Sequence, residues 1–225
     1  MKGKLIYVSD SQCGWCYGNG ENISMIYNTF KNDFDFEFLN GGMWVGQDAP
    51  RGGRQISDYI NARAPRLTAI TGRDIDPAFF GLIADPSQVL SSLEPSAAIV
   101  LIKELNPEHT FTFAKEVQNA LFKEAKPLDI LDTYIPILEK LAIDQTQFTN
   151  RWMQDDNLTK THKEFQIARG MANGFPTFIL EQGDKKTVLA SGYFDVQAMK
   201  DHISGIKAID KKEIGGEFCE IEGDC

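Results

Sequence analysis

The chain has 225 residues, of which 42% are hydrophobic and 24% charged, a balance typical of globular proteins rather than of disordered or membrane proteins. Its net charge of -9 at pH 7 argues against nucleic acid as a partner, because binding a polyanion requires a basic surface that neutralises phosphates. The opening residues, MKGKLIYVSD, hold too short an apolar run for a secretory signal, and no run approaches the length of a membrane helix, so we predict a cytoplasmic protein with no membrane partner.

The chain begins with a predicted strand, helix and second strand. KLIYVS, Lys4–Ser9, is a short apolar run typical of a buried strand, and apolar residues recur at helical spacing in ENISMIYNTFKN. FDFEFLN, residues 34–40, alternates aromatic and acidic side chains with period two, which predicts a strand with one buried face. This order is typical of a crossover unit that joins two parallel strands.

A long helical segment is predicted from about Gly46, because no stretch resembles a strand again until after Gly174. PEHTFTFAKEVQNALF, DTYIPILEKLAI and DQTQFTNRWMQ are candidate helices, the third with Asp144 as its predicted cap. In THKEFQIARGMAN, the spacing of Thr161 and Glu164 predicts a capping box at the start of the last helix in this segment.

Strand patterns return near the end of the chain. PTFIL, residues 176–180, and KTVLASG, residues 186–192, predict two strands joined by a turn at EQGD, and a closing helix follows over about residues 195–206. Without the helical segment, these elements make a small mixed sheet with helices on both faces, which is the thioredoxin arrangement. We therefore predict an α/β protein in which two separated pieces of chain build one thioredoxin-like domain.

Cys13 and Cys16 form a CxxC pair between the first strand and the first helix. The amides and the dipole at a helix N-terminus favour an anion, so we expect a stabilised thiolate at Cys13, the predicted nucleophile. A thiol three positions further along can attack the mixed disulfide that the nucleophile forms, which makes Cys16 the predicted resolving residue. The pair is therefore the predicted catalytic redox centre.

A zinc-binding interaction protein is the alternative, because the same cysteine spacing is half of many zinc sites. A zinc site needs two further ligands at a suitable spacing. Cys219 and Cys225 are separated by five residues near the far end of the chain, and His109, His162 and His202 are scattered. The sequence therefore favours redox chemistry, and we predict no metal and no cofactor.

The second motif is NGFPTF, residues 173–178. A proline that opens a strand after a glycine-containing turn is a common place for a cis peptide bond, here between Phe175 and Pro176, although an ordinary trans bond also fits the motif taken alone. In thioredoxin-like folds this loop lies against the CxxC pair and leaves backbone groups free to pair with an extended substrate. Phe175, Pro176 and Thr177 are therefore predicted to bind substrate.

The motifs CGWCYG, VQNALF, DILDTYIPILEKLAI and GFPTF together resemble the DsbA-like branch of the thioredoxin superfamily, specifically its cytosolic FrnE-like members, which are described as predicted protein disulfide isomerases. The resemblance implies a thioredoxin-like domain built from residues 1–45 and 161–210. It further implies an all-helical insertion domain of residues 46–160, which leaves residues 211–225 as an acidic tail.

The resemblance also implies an activity, that of a dithiol–disulfide oxidoreductase or protein disulfide isomerase, with Pro176 as its cis-proline. Protein thiols or disulfides are the expected partners, with glutathione or another thiol as reductant and a monomer or homodimer as the assembly. A glutathione-dependent isomerase or kappa-type glutathione transferase shares the inserted fold and is the alternative enzyme. Those enzymes generally need no cysteine pair, so the CxxC motif favours the oxidoreductase.

Gly14 and Trp15 separate the two cysteines and are also predicted to contact substrate, Trp15 as an exposed apolar surface. The strongly oxidising periplasmic relatives carry a histidine in this dipeptide that stabilises the thiolate. Its absence here predicts a less extreme oxidant. Met43 and Trp44 are candidates for the wall of a groove beside the site.

The cysteines of the tail, Cys219 and Cys225, have three interpretations. They are a second redox pair that exchanges electrons with Cys13 and Cys16, a small structural disulfide, or two unrelated thiols. Ring closure between them costs little entropy because few residues intervene.

Overall fold

A computed structural model describes residues 2–214, and it describes side chains for residues 2–207. Cys219 and Cys225, the predicted second redox pair, lie outside the described residues. No helix within residues 2–214 is both long and apolar enough to cross a bilayer.

The strands lie only near the two ends of the described chain. The strands are β1 (Lys4–Ser9), β2 (Asp35–Asn40), β3 (Thr177–Gln182) and β4 (Lys185–Ser191). The α-helices are α1 (Gly14–Phe30), α2 (Arg54–Asn61), α3 (Ala64–Thr71), α4 (Pro77–Ala84), α5 (Leu93–Leu105), α6 (Thr110–Phe122), α7 (Ile135–Lys140), α8 (Gln145–Arg151), α9 (Asp155–Met171) and α10 (Val196–Ile214). The segment between β2 and β3 is therefore helical, as predicted.

The four strands form one mixed sheet in the order β2-β1-β3-β4. β1 and β2 are parallel, because α1 carries the chain back across the sheet between them, and β3 is antiparallel to both of its neighbours. This is the sheet that the order of sequence patterns predicted, with each strand within two residues of its predicted bounds.

Both faces of the sheet are covered by helices. Leu5 and Tyr7 on β1 point into the large core that includes α1 and α10, whereas Ile6 and Val8 point to the opposite face and pack near Ala168 of α9. Because side chains alternate across a strand, burial of both faces requires an uninterrupted apolar run, which is what the sequence of β1 shows.

Helix α1 connects the core of the sheet to the core of the helical segment. Tyr27 stacks on Phe111 of α6 with ring centroids 4.8 Å apart, and Phe111 meets Phe38 of β2 edge-on at 5.6 Å. Tyr17 stacks on Phe122, also at 4.8 Å. The helix that follows the CxxC pair is therefore held between the sheet and the insertion.

The predicted capping box at the start of α9 was wrong. The helix begins earlier, at Asp155, and the Oγ1 of Thr161 donates a hydrogen bond of 2.8 Å to the carbonyl oxygen of Asn157 within the helix. Glu164 accepts hydrogen bonds of 2.7 Å from the backbone and side-chain nitrogens of Asn40. Thr161 therefore lies inside the helix rather than at its cap, and Glu164 binds a strand residue that is distant in the chain.

The two predicted boundaries of the insertion, at residues 46 and 160, fall in different kinds of local structure. Position 46 opens a short 3-10 helix, Gly46–Asp48, after the loop that leaves β2. Position 160 lies inside α9, a continuous helix whose later part packs on the sheet near Ile179. The division of the chain at 160 cuts that helix, and it remains a proposal.

Candidate active site

Cys13 is the N-cap residue of α1, with extended backbone angles of φ -85° and ψ 114°. Its Sγ accepts a hydrogen bond of 3.4 Å from the backbone N–H of Cys16, so sulfur takes the place of the oxygen that usually caps a helix. Both cysteines are free thiols. The sulfur of Cys13 therefore lies where the helix amides and dipole stabilise a negative charge.

Cys16 lies deeper than Cys13, with 1% of its surface exposed against 7%. Its Sγ accepts a hydrogen bond of 3.4 Å from the backbone N–H of Asp10. Burial raises the pKa of the Cys16 thiol well above its ordinary value, and the neighbouring Cys13 raises it further. Cys16 is therefore a protonated thiol at neutral pH, and the two sulfurs are chemically unequal.

We expect alkylation at pH 7 to show this inequality. In a C13S variant, Cys16 should react with iodoacetamide at least about tenfold more slowly than Cys13 does in a C16S variant, because little Cys16 thiolate is present and the sulfur is buried. Mass spectrometry of the peptide that contains the remaining thiol measures the rate. The difference should vanish in denaturant, and equal rates in the two folded variants would contradict it.

The loop before β3 lies against Cys13. The peptide bond between Phe175 and Pro176, which the sequence predicts to be cis, is cis in the structure. The Sγ of Cys13 donates a hydrogen bond of 3.5 Å to the carbonyl oxygen of Phe175, and the Oγ1 of Thr177 donates one of 2.7 Å to the carbonyl oxygen of Gly174. The fold thus brings together two motifs that are 162 residues apart.

The double glycine after β2 makes room for this loop. A Cβ on Gly41 would lie 2.3 Å from ring carbons of Phe175, and a Cβ on Gly42 would lie 2.6 Å from the ring of Phe165. Gly42 also has a φ of 62°, in the left-handed region that favours glycine. Both glycines directly follow β2 in the chain, but the approach of Gly41 to the Phe175 ring and of Gly42 to the Phe165 ring depends on the fold.

Asp10 is a buried residue of the site that sequence reasoning missed. Its carboxylate accepts hydrogen bonds from the backbone N–H of Gln12 at 2.9 Å, the backbone N–H of Met43 at 2.7 Å and the Oγ of Ser92 at 2.9 Å. Ser92 is the N-cap residue of α5. Burial raises the pKa of the Asp10 carboxyl, and these hydrogen bonds oppose part of that rise.

The backbone of Asp10 also contacts the redox pair. Its carbonyl oxygen accepts hydrogen bonds from the N–H of Cys13 at 3.2 Å and from the Nε2 of Gln118 on α6 at 3.1 Å. Its own N–H bonds to the Sγ of Cys16. The residue thus links the turn before α1 to the loop after β2 and to two helices of the insertion.

A groove of about 340 Å³ opens beside Cys13 between the turn and helices α2 to α4. Trp15, Met43 and Trp44 line it, as does Gly14, where a Cβ would lie 2.9 Å from Leu67 of α3. Trp15 is half-buried rather than exposed as predicted, because it lies in this groove beside residues of the helical insertion.

Metal-ligand clusters are absent from the part of the chain that the structure describes, where no three or more His, Cys, Asp and Glu side chains are placed to hold an ion. In that part of the chain, Cys13 and Cys16 are hydrogen-bonded to each other and to backbone groups. The arrangement suits thiol chemistry, with one capped sulfur near the surface and one buried sulfur behind it.

Comparison with known proteins gives similarity at the level of structure. No protein-family model matches the chain, and no curated protein matches its sequence. A candidate protein disulfide isomerase from Nitrosomonas europaea is similar with a TM-score of 0.77 and 19% identity, over 96% of this chain and 100% of that chain. The cytosolic disulfide reductase DsbM from Pseudomonas aeruginosa has a TM-score of 0.69 and 21% identity, over 94% and 98%.

Two further structures extend the comparison. DsbM with GSH is similar with a TM-score of 0.68 and 20% identity, over 94% of this chain and 98% of that one. A 2-hydroxychromene-2-carboxylate isomerase has a TM-score of 0.61 and 13% identity, over 95% and 100%. At these identities the likeness shows the fold, and it confirms the predicted DsbA-like form of the thioredoxin fold with a helical insertion.

Proposed function

We propose that this protein is a thiol–disulfide oxidoreductase that reduces or isomerises disulfides, with Cys13 as nucleophile and Cys16 as resolving residue. The position of the Cys13 sulfur carries the proposal. It caps α1, it lies 3.5 Å from the carbonyl oxygen of Phe175, and the N–H of Cys16 points at it. A thiolate is stabilised at such a helix N-terminus, and a second thiol stands within one helical turn of it.

The reductive reaction transfers two electrons from the cysteine pair. The Cys13 thiolate attacks one sulfur of the substrate disulfide, the S–S bond breaks, and the other substrate sulfur leaves as a thiolate. Cys16 then loses its proton and attacks the Sγ of Cys13, which releases the second substrate sulfur and forms the Cys13–Cys16 disulfide. The proton of Cys16 passes to a departing thiolate, and this transfer offsets the raised pKa of the buried thiol.

Substrate binding is assigned to the loop of residues 175–177. Its carbonyl oxygen at Phe175 lies beside the attacking sulfur, so an extended chain held along this loop places its own sulfur next to Cys13. Gly14 and Trp15 supply the neighbouring wall. We assign no prosthetic group to the reaction, because the pair itself carries the electrons.

Glutathione or another small thiol is the proposed reductant that regenerates the pair. The similar structures of the cytosolic disulfide reductase DsbM, alone and with GSH, support this partner and a cytosolic location. That compartment is reducing, so reduction or isomerisation is favoured there over net oxidation. Similarity to an isomerase structure at 13% identity concerns the fold, and the cysteine pair favours the oxidoreductase.

The decisive experiment is the reduction potential of the Cys13–Cys16 couple, measured by equilibration with glutathione redox buffers. We expect a value nearer to about -270 mV than to about -120 mV, because the dipeptide of Gly14 and Trp15 adds no cation beside the sulfur. Insulin reduction with glutathione as electron donor should show turnover. A value near -120 mV would contradict the reductive direction, and a pair that forms no disulfide at any potential would contradict the whole proposal.

A further inference from the structure

The groove beside Cys13 has an unusual charge for this protein. Arg63 and Arg66, at the start of α3, are the charged residues that line it, and among the described residues no carboxylate does so. The whole chain carries a net charge of -9. The wall next to the nucleophile is therefore positive on a protein that is acidic as a whole, and such local charge concentrates anions.

The two arginines have no acidic partner among the described residues. Arg63 donates a hydrogen bond of 2.9 Å to the carbonyl oxygen of Tyr59 and lies over the Tyr59 ring, 3.5 Å from its centroid. The side chain of Arg66 makes no hydrogen bond or ion pair within the described part of the chain. By contrast, Arg54 on α2 pairs with Asp58 at 3.6 Å. Both groove arginines are exposed, so each keeps its charge available for a ligand.

We propose that Arg63 and Arg66 select a small anionic disulfide, one that carries carboxylate groups close to its sulfur atoms. Guanidinium groups bind carboxylates through paired hydrogen bonds, and the rest of the groove is apolar enough to hold a short aliphatic or peptide body. A volume of about 340 Å³ is at the small-molecule end of the usual range for ligand pockets. The inference rests on the proposed exchange chemistry and adds the class of substrate.

The chemistry at this site is the exchange already described. The Cys13 thiolate attacks the near sulfur of the anionic disulfide, the distant half leaves as a carboxylate-bearing thiolate, and Cys16 releases the near half. The ligand is reduced to two thiols as the cysteine pair is oxidised. The arginines touch only the carboxylates, so they select the substrate and take no part in electron transfer.

Three disulfides of different charge test the proposal, namely oxidised glutathione, the neutral 2-hydroxyethyl disulfide and the cationic cystamine. Each is mixed with pre-reduced protein and followed through a single turnover, so that no other reductant is needed, and we expect the wild type to prefer them in that order by second-order rate constant. In an R63Q/R66Q variant, the rate constant for oxidised glutathione should fall by about twofold to thirtyfold, the range for two exposed charge contacts, and the value for 2-hydroxyethyl disulfide should stay within about twofold. The value for cystamine should rise.

The control is R54Q, which removes an exposed arginine on the neighbouring helix outside the groove and should leave the charge preference unchanged. Added salt should reduce the preference of the wild type and leave that of R63Q/R66Q as it is. An equal loss for all three disulfides, an unchanged preference in R63Q/R66Q, or the same change in R54Q would overturn the assignment.

A binding measurement separates this inference from the proposed function. S-methylglutathione carries the carboxylates but has no sulfur that can exchange, so calorimetry with the wild-type protein reports the groove alone. Binding that weakens with salt and in R63Q/R66Q, but not in R54Q, supports the anionic groove even if no disulfide is reduced. Redox turnover with no binding and no charge preference would leave the oxidoreductase standing and remove the groove proposal.

Discussion

Replacing Cys13 by serine is expected to bring disulfide reduction down to the uncatalysed background. A serine hydroxyl is not ionised at neutral pH and forms no disulfide, so neither step of the exchange takes place. Serine is itself a preferred N-cap residue, so α1 stays capped and the fold should persist. Turnover of insulin disulfides measures the loss of activity, and circular dichroism checks that the variant is folded.

The matched variant, C16S, should lose turnover at a later step of the exchange. Its Cys13 still attacks the substrate, but no thiol resolves the mixed disulfide, so a covalent adduct accumulates that dithiothreitol releases. Both changes are best made with Cys219 and Cys225 replaced by serine, so that a single thiol remains in each variant. An adduct on C13S and none on C16S would reverse the two roles, and turnover by both variants would remove the pair from the mechanism.

Replacing Asp10 by alanine is expected to cost about 2 to 5 kcal/mol in the free energy of unfolding and most of the activity. The change leaves the N–H groups of Gln12 and Met43 and the hydroxyl of Ser92 without their buried acceptor. It also loosens the turn whose backbone holds both sulfurs. Urea unfolding measures the stability.

Asp85→Ala is the matched control. The carboxylate of Asp85 accepts two hydrogen bonds, from the backbone and side chain of Ser87, against three at Asp10, but it is exposed, so water replaces the lost acceptor. We expect little change in stability for this variant. A D10A protein that unfolds at the same urea concentration as D85A would contradict the role assigned to the buried carboxylate.

The contribution of Asp10 to the free energy of unfolding also depends on pH, because its carboxyl group titrates. Burial holds the pKa of Asp10 above its ordinary value, so the folded state binds this proton more tightly than the unfolded state does. The contribution of Asp10 to stability therefore falls as the pH rises from about 4 through the raised pKa. The amide side chain of a D10N variant does not titrate, so the stability advantage of the wild type over D10N should shrink over that range. An advantage that grows with pH would contradict the assignment.

Local sequence patterns predicted the sheet well. Both predicted ends of β1 match the structure. A strand that is buried on both faces requires an uninterrupted apolar run, and the polar residues on either side of that run mark its ends. The cap at Asp144 was confirmed, since its carboxylate accepts hydrogen bonds from the N–H groups of Thr146 and Gln147. These features depend on residues close together in the chain.

The sequence predicted that the insertion is helical, but it predicted only some of the individual helices. α2 and α3 have eight residues each, and each fully buries a single side chain. In α2 the apolar residues Ile56, Tyr59 and Ile60 recur at helical spacing, but so short a helix shows the pattern over only about two turns. Helices of this length are stabilised mainly by packing against neighbouring elements. At α9 the local pattern misled, because Glu164 is used by Asn40 instead of by its own helix.

Local patterns revealed the two halves of the candidate site, CGWC before a helix and FPT before a strand, because each half consists of residues adjacent in the chain. The folded chain was needed to show that the sulfur of Cys13 meets the carbonyl of Phe175, that Asp10 is a buried acceptor, and that Arg63 and Arg66 lie beside the nucleophile. Burial and charge pairing depend on contacts between segments that are distant in the chain, and the spacing of residues within one segment does not predict such contacts.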